Sequence, residues 1–147
     1  MDLLVDRLRR MLWVEETLAR DVLPAVLERA HATDLQYGVE RHIPETKEHA
    51  LTVRTILHLL GERQEGTEEP ALHVELGDGD LELCELLARI EHLEIASYTF
   101  LRSLANALGA DDIGLRLTEI LEQEEYALEL VEKATAKLLA ESVTGVL

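Results

Sequence analysis

Glutamate stands at two positions of a helical core seam in this chain, and that constrains the fold more than any other feature. Starting at Cys84, the residues Leu87, Glu91, Glu94, Tyr98, Leu101, Ala105 and Leu108 recur at steps of three and four, which is the inward line of an amphipathic helix. Glu91 and Glu94 fill slots where Leu or Ile belongs. A lone carboxylate in an apolar interior is costly, and it takes up a proton, a cation or a metal ion instead. Two of them one turn apart make a bound cation the economical reading. The rest of the chain then has to be searched for acids that reach the same level.

The first helix is expected from about residue 3 to 31, with Leu4, Leu8, Met11, Leu12, Leu18, Val22, Leu23, Val26 and Leu27 on a broad apolar face. Pro24 should bend it, because proline removes a backbone donor and crowds the preceding turn. Glu15 and Glu16 lie in the middle of that face. One inward line runs Leu8, Met11, Glu15, Leu18, Val22 and its neighbour runs Leu12, Glu16, Ala19, Leu23, and periodicity does not choose between them. After a short turn at Ala32-Thr33-Asp34, which offers a helix N-cap, a second helix is expected over about 35–60, stopped by Gly61. Its inward line is Leu35, Val39, His42, Thr46, His49, Val53, Ile56 and Leu60. Glu45 sits between His42 and His49, and Pro44 predicts a kink beside them.

From 61 to 80 no amphipathic pattern fits, and Gly66, Pro70, Gly77 and Gly79 are scattered among acids. A connection this long is unusual inside one compact domain. It is accounted for if helices two and three run parallel, so that the chain must return along the bundle, as in the ferritin-like arrangement. The third helix spans about 81–108, before Gly109, and the fourth about 112–141, with 142–147 expected to fray. The fourth helix repeats the opening anomaly: its seam runs Ile113, Leu117, Ile120, Glu124, Ala127, Val131, Ala134, Leu138. Counted from the tight turns, Glu16, Glu45, Glu94 and Glu124 lie about 11 to 15 residues along their helices, and at about 1.5 Å per residue all four reach one level near mid-bundle. The expected architecture is one all-α domain, 1–147, a ferritin-like four-helix bundle with a long crossover between helices two and three. Oxygen donors joined by one or two imidazoles suit iron or manganese, with two metals sharing carboxylates.

Composition narrows the partners. A net charge of −16 argues against nucleic-acid and anionic-membrane partners, which need a basic face. No apolar run approaches membrane-spanning length, Met1-Asp2-Leu3 lacks the basic start of a signal peptide, and a lone cysteine fits a reducing compartment, so a cytoplasmic location is expected. Cys84 reads as a small core hydrophobe. Trp13 and Leu12 fit either a dimer surface or the edge of the core. His92, about 100° around the helix from Glu91, should face outward. Tyr98, one turn beyond Glu94, either orients a ligand or packs as a plain core aromatic.

The run Glu91-His92-Leu93-Glu94-Ile95-Ala96-Ser97-Tyr98, His42 with Glu45-Thr46, and the acidic Leu121-Glu122-Gln123-Glu124 resemble the YciE/YciF group of ferritin-like proteins. The resemblance covers most of the chain and is gapless from about Leu87 to Glu124. It implies a dimeric diiron-type bundle linked to stress responses, with two irons per chain or manganese in their place. It also implies metal-ligand roles for Glu16 (rather than Glu15), Glu45, Glu91, Glu94 and Glu124, and His49 joins them as a candidate from its place on the second helix. Two departures stand out: the crossover is short and non-helical, and Ala127 occupies the position where a diiron Glu-x-x-His motif would put its histidine. The leading expectation is therefore a metal-binding protein able to oxidise Fe(II) or handle oxygen or peroxide. The alternative is a non-catalytic scaffold with a degenerate site, motivated by that missing imidazole.

Overall fold

The structure, a computed structural model, describes residues 2–146. Its elements are α1 (Asp2–Thr17), a five-residue π segment (Leu18–Val22), α2 (Leu23–Arg29), α3 (Thr33–Leu59), α4 (Asp80–Ala107) and α5 (Asp111–Val146). α1, the π segment and α2 follow one another without a break and form the first rod of a four-helix bundle. Boundaries fall within two residues of the sequence expectation except at the C-terminus, where α5 continues to Val146 instead of fraying at Ser142. A helix adds residues through local backbone hydrogen bonds, so it outlasts the apolar seam that identified it. Leu147 lies outside the described residues.

Specific contacts fix the topology. Arg54 on α3 meets Glu16 on α1, and Arg9 near the start of α1 meets Glu62 just past the end of α3, so these two helices are antiparallel neighbours. Lys137 near the end of α5 meets Asp34 at the start of α3, which makes that pair antiparallel too. The Asp80 carboxylate, at the start of α4, accepts hydrogen bonds from the backbone N–H groups of His31 and Ala32 at 2.9 Å each, just before α3 begins. α3 and α4 thus start at the same end of the bundle and run in the same direction, as the long connection predicted. α3 has no side-chain cap of its own: its N-cap is Ala32, and Asp80 serves this turn from another helix. Asp80→Ala should lower stability by about 1 kcal/mol, the usual cost of losing such a cap. The check is the urea midpoint, with metal content expected to be unchanged.

Both helix stops read from the sequence are present. Gly61 and Gly109 have φ of +74° and +77°. Around Gly61 the N–H of Glu62 reaches the Leu57 carbonyl and that of Gly61 reaches His58. The same pair of bonds recurs around Gly109, with Ala110 to Ala105 and Gly109 to Asn106. This is the glycine-terminated helix end in which the last carbonyls are satisfied.

The crossover lies along the first rod. Thr67 N–H bonds the Arg9 carbonyl, Arg9 pairs with Glu62, and farther along Arg29 reaches the Leu76 carbonyl. Leu72, Val74 and Leu76 pack on the core while His73 and Glu75 face solvent, the two-residue alternation of an extended chain. Gly66 passes so close to α1 that a Cβ there would lie 2.8–2.9 Å from backbone and Cβ atoms of Trp13. Trp13 is thus half-buried beneath the crossover and Leu12 is fully buried in the core.

Pro24 acts where expected, as a register change. The N–H of Leu23 bonds the Leu18 carbonyl, an i to i−5 step that closes the π segment just before the proline. α3, by contrast, runs on through Pro44 without interruption. Among the described residues no helix is long and apolar enough to cross a membrane.

Candidate metal centre

The inward lines of all four rods meet at mid-bundle in a cluster of buried polar side chains. Glu15, Glu94 and Glu124 are fully buried, and Glu91, His49 and His42 nearly so. One ligand atom from each of His42, Glu91, Glu94 and Glu124 falls within 4.8 Å of the others, and the same holds for Glu15, His49 and Glu124. The two groups share Glu124. α3 supplies both imidazoles, seven residues apart and therefore on one face two turns apart. α1 supplies Glu15, α4 supplies Glu91 and Glu94, and α5 supplies Glu124.

Distances within the cluster are short. His42 Nε2 lies 3.0 Å from Glu91 Oε1 and 3.9 Å from Glu124 Oε2. His49 Nδ1 lies 2.7 Å from Glu124 Oε1 and 3.6 Å from Glu15 Oε2. Nevertheless nine buried atoms here make no properly directed hydrogen bond within the protein: Glu15 Oε2, both nitrogens of His42, His49 Nδ1, Glu91 Oε2, and both carboxylate oxygens of Glu94 and of Glu124. Burying polar atoms without partners costs about 1–3 kcal/mol each, more for charged groups. These atoms belong to side chains that each bring one ligand atom within 4.8 Å of the others in its group.

The surrounding contacts orient the cluster. The Gln123 side-chain oxygen accepts from His49 Nε2 at 2.6 Å, which leaves Nδ1 as the nitrogen facing the carboxylates. The buried Tyr98 hydroxyl donates to Glu15 Oε1 at 3.2 Å. Burial, reinforced by the charges of Glu15, Glu94 and Glu124, pushes the Tyr98 pKa up and keeps it a donor. Thr46 satisfies its own hydroxyl on the His42 carbonyl.

Electrostatics divide the carboxylates into two kinds. Burial, then proximity to Glu124, drives the Glu91 pKa well above the carboxylate range. For Glu94 burial again leads, followed by the charges of Glu124 and Glu15. Burial acts the same way on Glu124, but its contact with Glu91 and the imidazoles of His49 and His42 outweigh it and bring the pKa down to about 2. Burial disfavours charge on the histidines too. Glu45, Glu91 and Glu124 overcome it at His42, pushing it up to about 11, and Glu124 with Glu15 overcomes it at His49, pushing it up to about 10. The metal-free cluster therefore holds protons that a cation would displace.

Of the six residues expected to ligate, the structure brings four together: His49, Glu91, Glu94 and Glu124. It corrects two placements. Glu16 points away from the cluster, is about one-third exposed and pairs with Arg54 at 2.7 Å, while Glu15 takes the inward position. The π segment is the reason. Read back from Leu23 and Val26 at 3.6 residues per turn, the inward line passes Ala19 and Glu16. The i to i−5 step inserts one residue and moves the line to Leu18 and Glu15. Glu45 lies beside the cluster, half-buried and 3.9 Å from His42 Nδ1, because His42, Thr46 and His49 take the inward line of α3. His42, not among the expected ligands, sits in the cluster itself and supplies an imidazole in place of the one missing from the fourth helix. The signal that would have found it was its place on the inward line, four residues before Thr46 and seven before His49. Gln123 had no sequence signal beyond adjacency to Glu124. His92 is exposed and Cys84 buried, as expected.

The donor set, four carboxylates and two imidazoles, equals the inventory of a dinuclear carboxylate site in such bundles, where the histidines come instead from two separate Glu-x-x-His motifs. Two divalent cations would match the four negative charges.

Comparison with known proteins agrees with this architecture. No curated protein sequence matches the chain significantly. Among solved structures, the YcfI protein of Rhodopseudomonas palustris is 28% identical, with 89% of this chain and 91% of that one covered and a TM-score of 0.82. The Escherichia coli stress protein YciF is 21% identical over 95% and 96% of the two chains, with a TM-score of 0.83. A bacterioferritin-related protein from Bacteroides fragilis, described as a dodecameric thioferritin, is 18% identical over 97% and 90%, with a TM-score of 0.82. The model of the domain of unknown function DUF892 matches residues 1–144. The chain therefore belongs to the DUF892 family, and it shares its helical-bundle fold with YciF and with the bacterioferritin-related protein.

Proposed function

We propose that this protein binds two metal ions, iron or manganese, at mid-bundle, and that with iron it oxidises Fe(II) using oxygen or peroxide. The observation that carries the reading is the set of nine buried, unsatisfied donor atoms in two groups that share Glu124. His42, Glu91 and Glu94 would hold one ion, Glu15 and His49 the other, and Glu124 both. Bound iron would supply the one-electron redox chemistry. The residues do the rest: Glu124 links the two positions, Gln123 fixes the His49 tautomer, Tyr98 holds Glu15 by its hydroxyl, and the apolar helix faces exclude bulk water. To hold metal, Glu91, Glu94 and the histidines would have to give up their protons.

The scaffold alternative rested on an absent imidazole, and it weighs less with His42 and His49 both in the cluster. A homodimer and a stress-response role, which the family resemblance implies, belong to the same proposal.

The test is elemental analysis of untagged protein, followed by anaerobic Fe(II) titration and exposure to air. The expected result is about two irons per chain and a ferric absorption band. Less than a few tenths of an equivalent of any metal, with no Fe(II) uptake, would sink the proposal.

A further inference from the structure

A cavity of about 380 Å³ opens between α3 and the C-terminal half of α5 and leads inward to the cluster. Its walls are apolar, formed by Leu23, Leu35, Val39, Leu87, Leu130 and Val131. At its buried end stand His42 and Glu91, with the half-buried Glu45 beside them. The cavity exists because the α5 seam loses its cover: Ala127 is buried, but Val131, Ala134 and Leu138 are only partly so. From Ala127 to Lys137 the groove follows α5 for about 15 Å at 1.5 Å per residue.

Its mouth gathers bases in an otherwise acidic molecule. Acids outnumber bases 30 to 14 in the chain, yet the exposed cavity residues include Arg41, Lys133 and Lys137, and the sequence has only one other lysine, Lys47. Asp34 lies 2.8 Å from Lys137 and Glu129 lies 3.3 Å from Lys133. In both pairs each partner is more than half exposed, so the pairings are weak and open to exchange. Arg41 lies 5.4 Å from the Tyr126 ring centroid, over the opposite lip. A groove with apolar walls and bases at its mouth selects a molecule with one apolar and one anionic end.

We infer that this groove binds a monocarboxylate with an unbranched aliphatic tail, the carboxylate held by Arg41, Lys133 and Lys137 and the tail lying along the apolar walls. The inference rests on the groove, so it stands or falls separately from metal binding. The occupant would also control what else reaches the cluster, since it fills the passage on that side.

The experiment is isothermal titration with decanoate, on chelator-treated and on metal-loaded protein whose metal content is measured in the same samples. Decyltrimethylammonium serves as the probe of reversed charge. Saturable one-to-one binding of decanoate is expected, at least about tenfold tighter than that of the cation. Ala134→Trp, which fills the groove, should abolish binding. Lys133→Glu with Lys137→Glu should weaken it about tenfold or more. Far-ultraviolet circular dichroism confirms that each variant is folded, and Lys47→Glu, away from the groove, should leave binding unchanged. Four results would overturn the inference. These are no saturable binding, equal affinity for the two probes, binding that survives Ala134→Trp in folded protein, or a dimer by light scattering whose interface Ala134→Trp disrupts while decanoate has no effect. Failure to load metal with decanoate binding intact would instead count against the proposed function alone.

Discussion

Metal-loaded protein should melt about 15 °C or more above the chelator-treated form, since each ion at a thousandfold excess over its Kd adds about 4 kcal/mol and a chain of this size gains about 2–4 °C per kcal/mol. The two forms should also respond to pH with opposite sign. In the metal-free cluster His42 and His49 hold protons up to about pH 11 and about pH 10, whereas in the unfolded chain they release them near 6.5. Their contribution is therefore complete below about pH 6.5 and is lost as pH rises towards those values. Glu91 and Glu94, raised by burial, act in the same direction: above about pH 4.5 the unfolded chain gives up protons that the folded one retains. Glu124 acts in the opposite direction, its contribution being present above about pH 4.5 and lost as pH falls through about 2.

The metal-free protein should consequently be most stable in mild acid and weaken towards pH 9, the two imidazoles alone contributing a slope of at most about 3 kcal/mol per pH unit. Binding a cation expels the same protons, so the stability added by metal should grow over that interval. Urea titrations from pH 5 to 9, with and without Fe(II) under anaerobic conditions, measure both slopes. A metal-free form whose stability rises steadily to pH 9 would show that the cluster does not hold these protons. Equal melting temperatures with and without metal would remove the dinuclear reading.

Glu124→Gln should cost the protein both metals, whereas Glu16→Gln should cost it neither. Replacing residues that merely orient a ligand weakens metal sites by about 10–100-fold. Loss of the one carboxylate common to both groups should exceed that and leave neither ion after desalting. Glu16 pairs with Arg54 at a partly exposed position, and pairs of that kind contribute about 0–1 kcal/mol. Glu15→Gln provides the decisive contrast, because a single residue of register separates it from Glu16. It should empty the position shared with His49 while His42, Glu91, Glu94 and Glu124 retain theirs, giving about one metal per chain. Metal retained in Glu15→Gln and lost in Glu16→Gln would restore the register that the family resemblance implied.

The amino-acid sequence by itself determined the four rods, their stops at Gly61 and Gly109, the parallel start of α3 and α4, and the acids Glu91, Glu94 and Glu124 at core positions. These properties follow from local rules. Periodicity assigns a residue to a helix face, glycine accepts the left-handed turn, and a long unpatterned connection implies a return along the bundle. The tertiary structure decided which side chains share a point in space. Periodicity resolves direction to about one residue, or 100°, which left Glu15 and Glu16 equivalent until the π segment at Leu18–Val22 shifted the line. It also kept His42 and Glu45 both eligible, although α3 turns only the histidine fully inward. The missing histidine at Ala127 suggested a defective site because a motif is counted along one helix. The cluster takes its donors from whichever rods face it, and α3 supplies two imidazoles where another bundle would draw one from each of two helices.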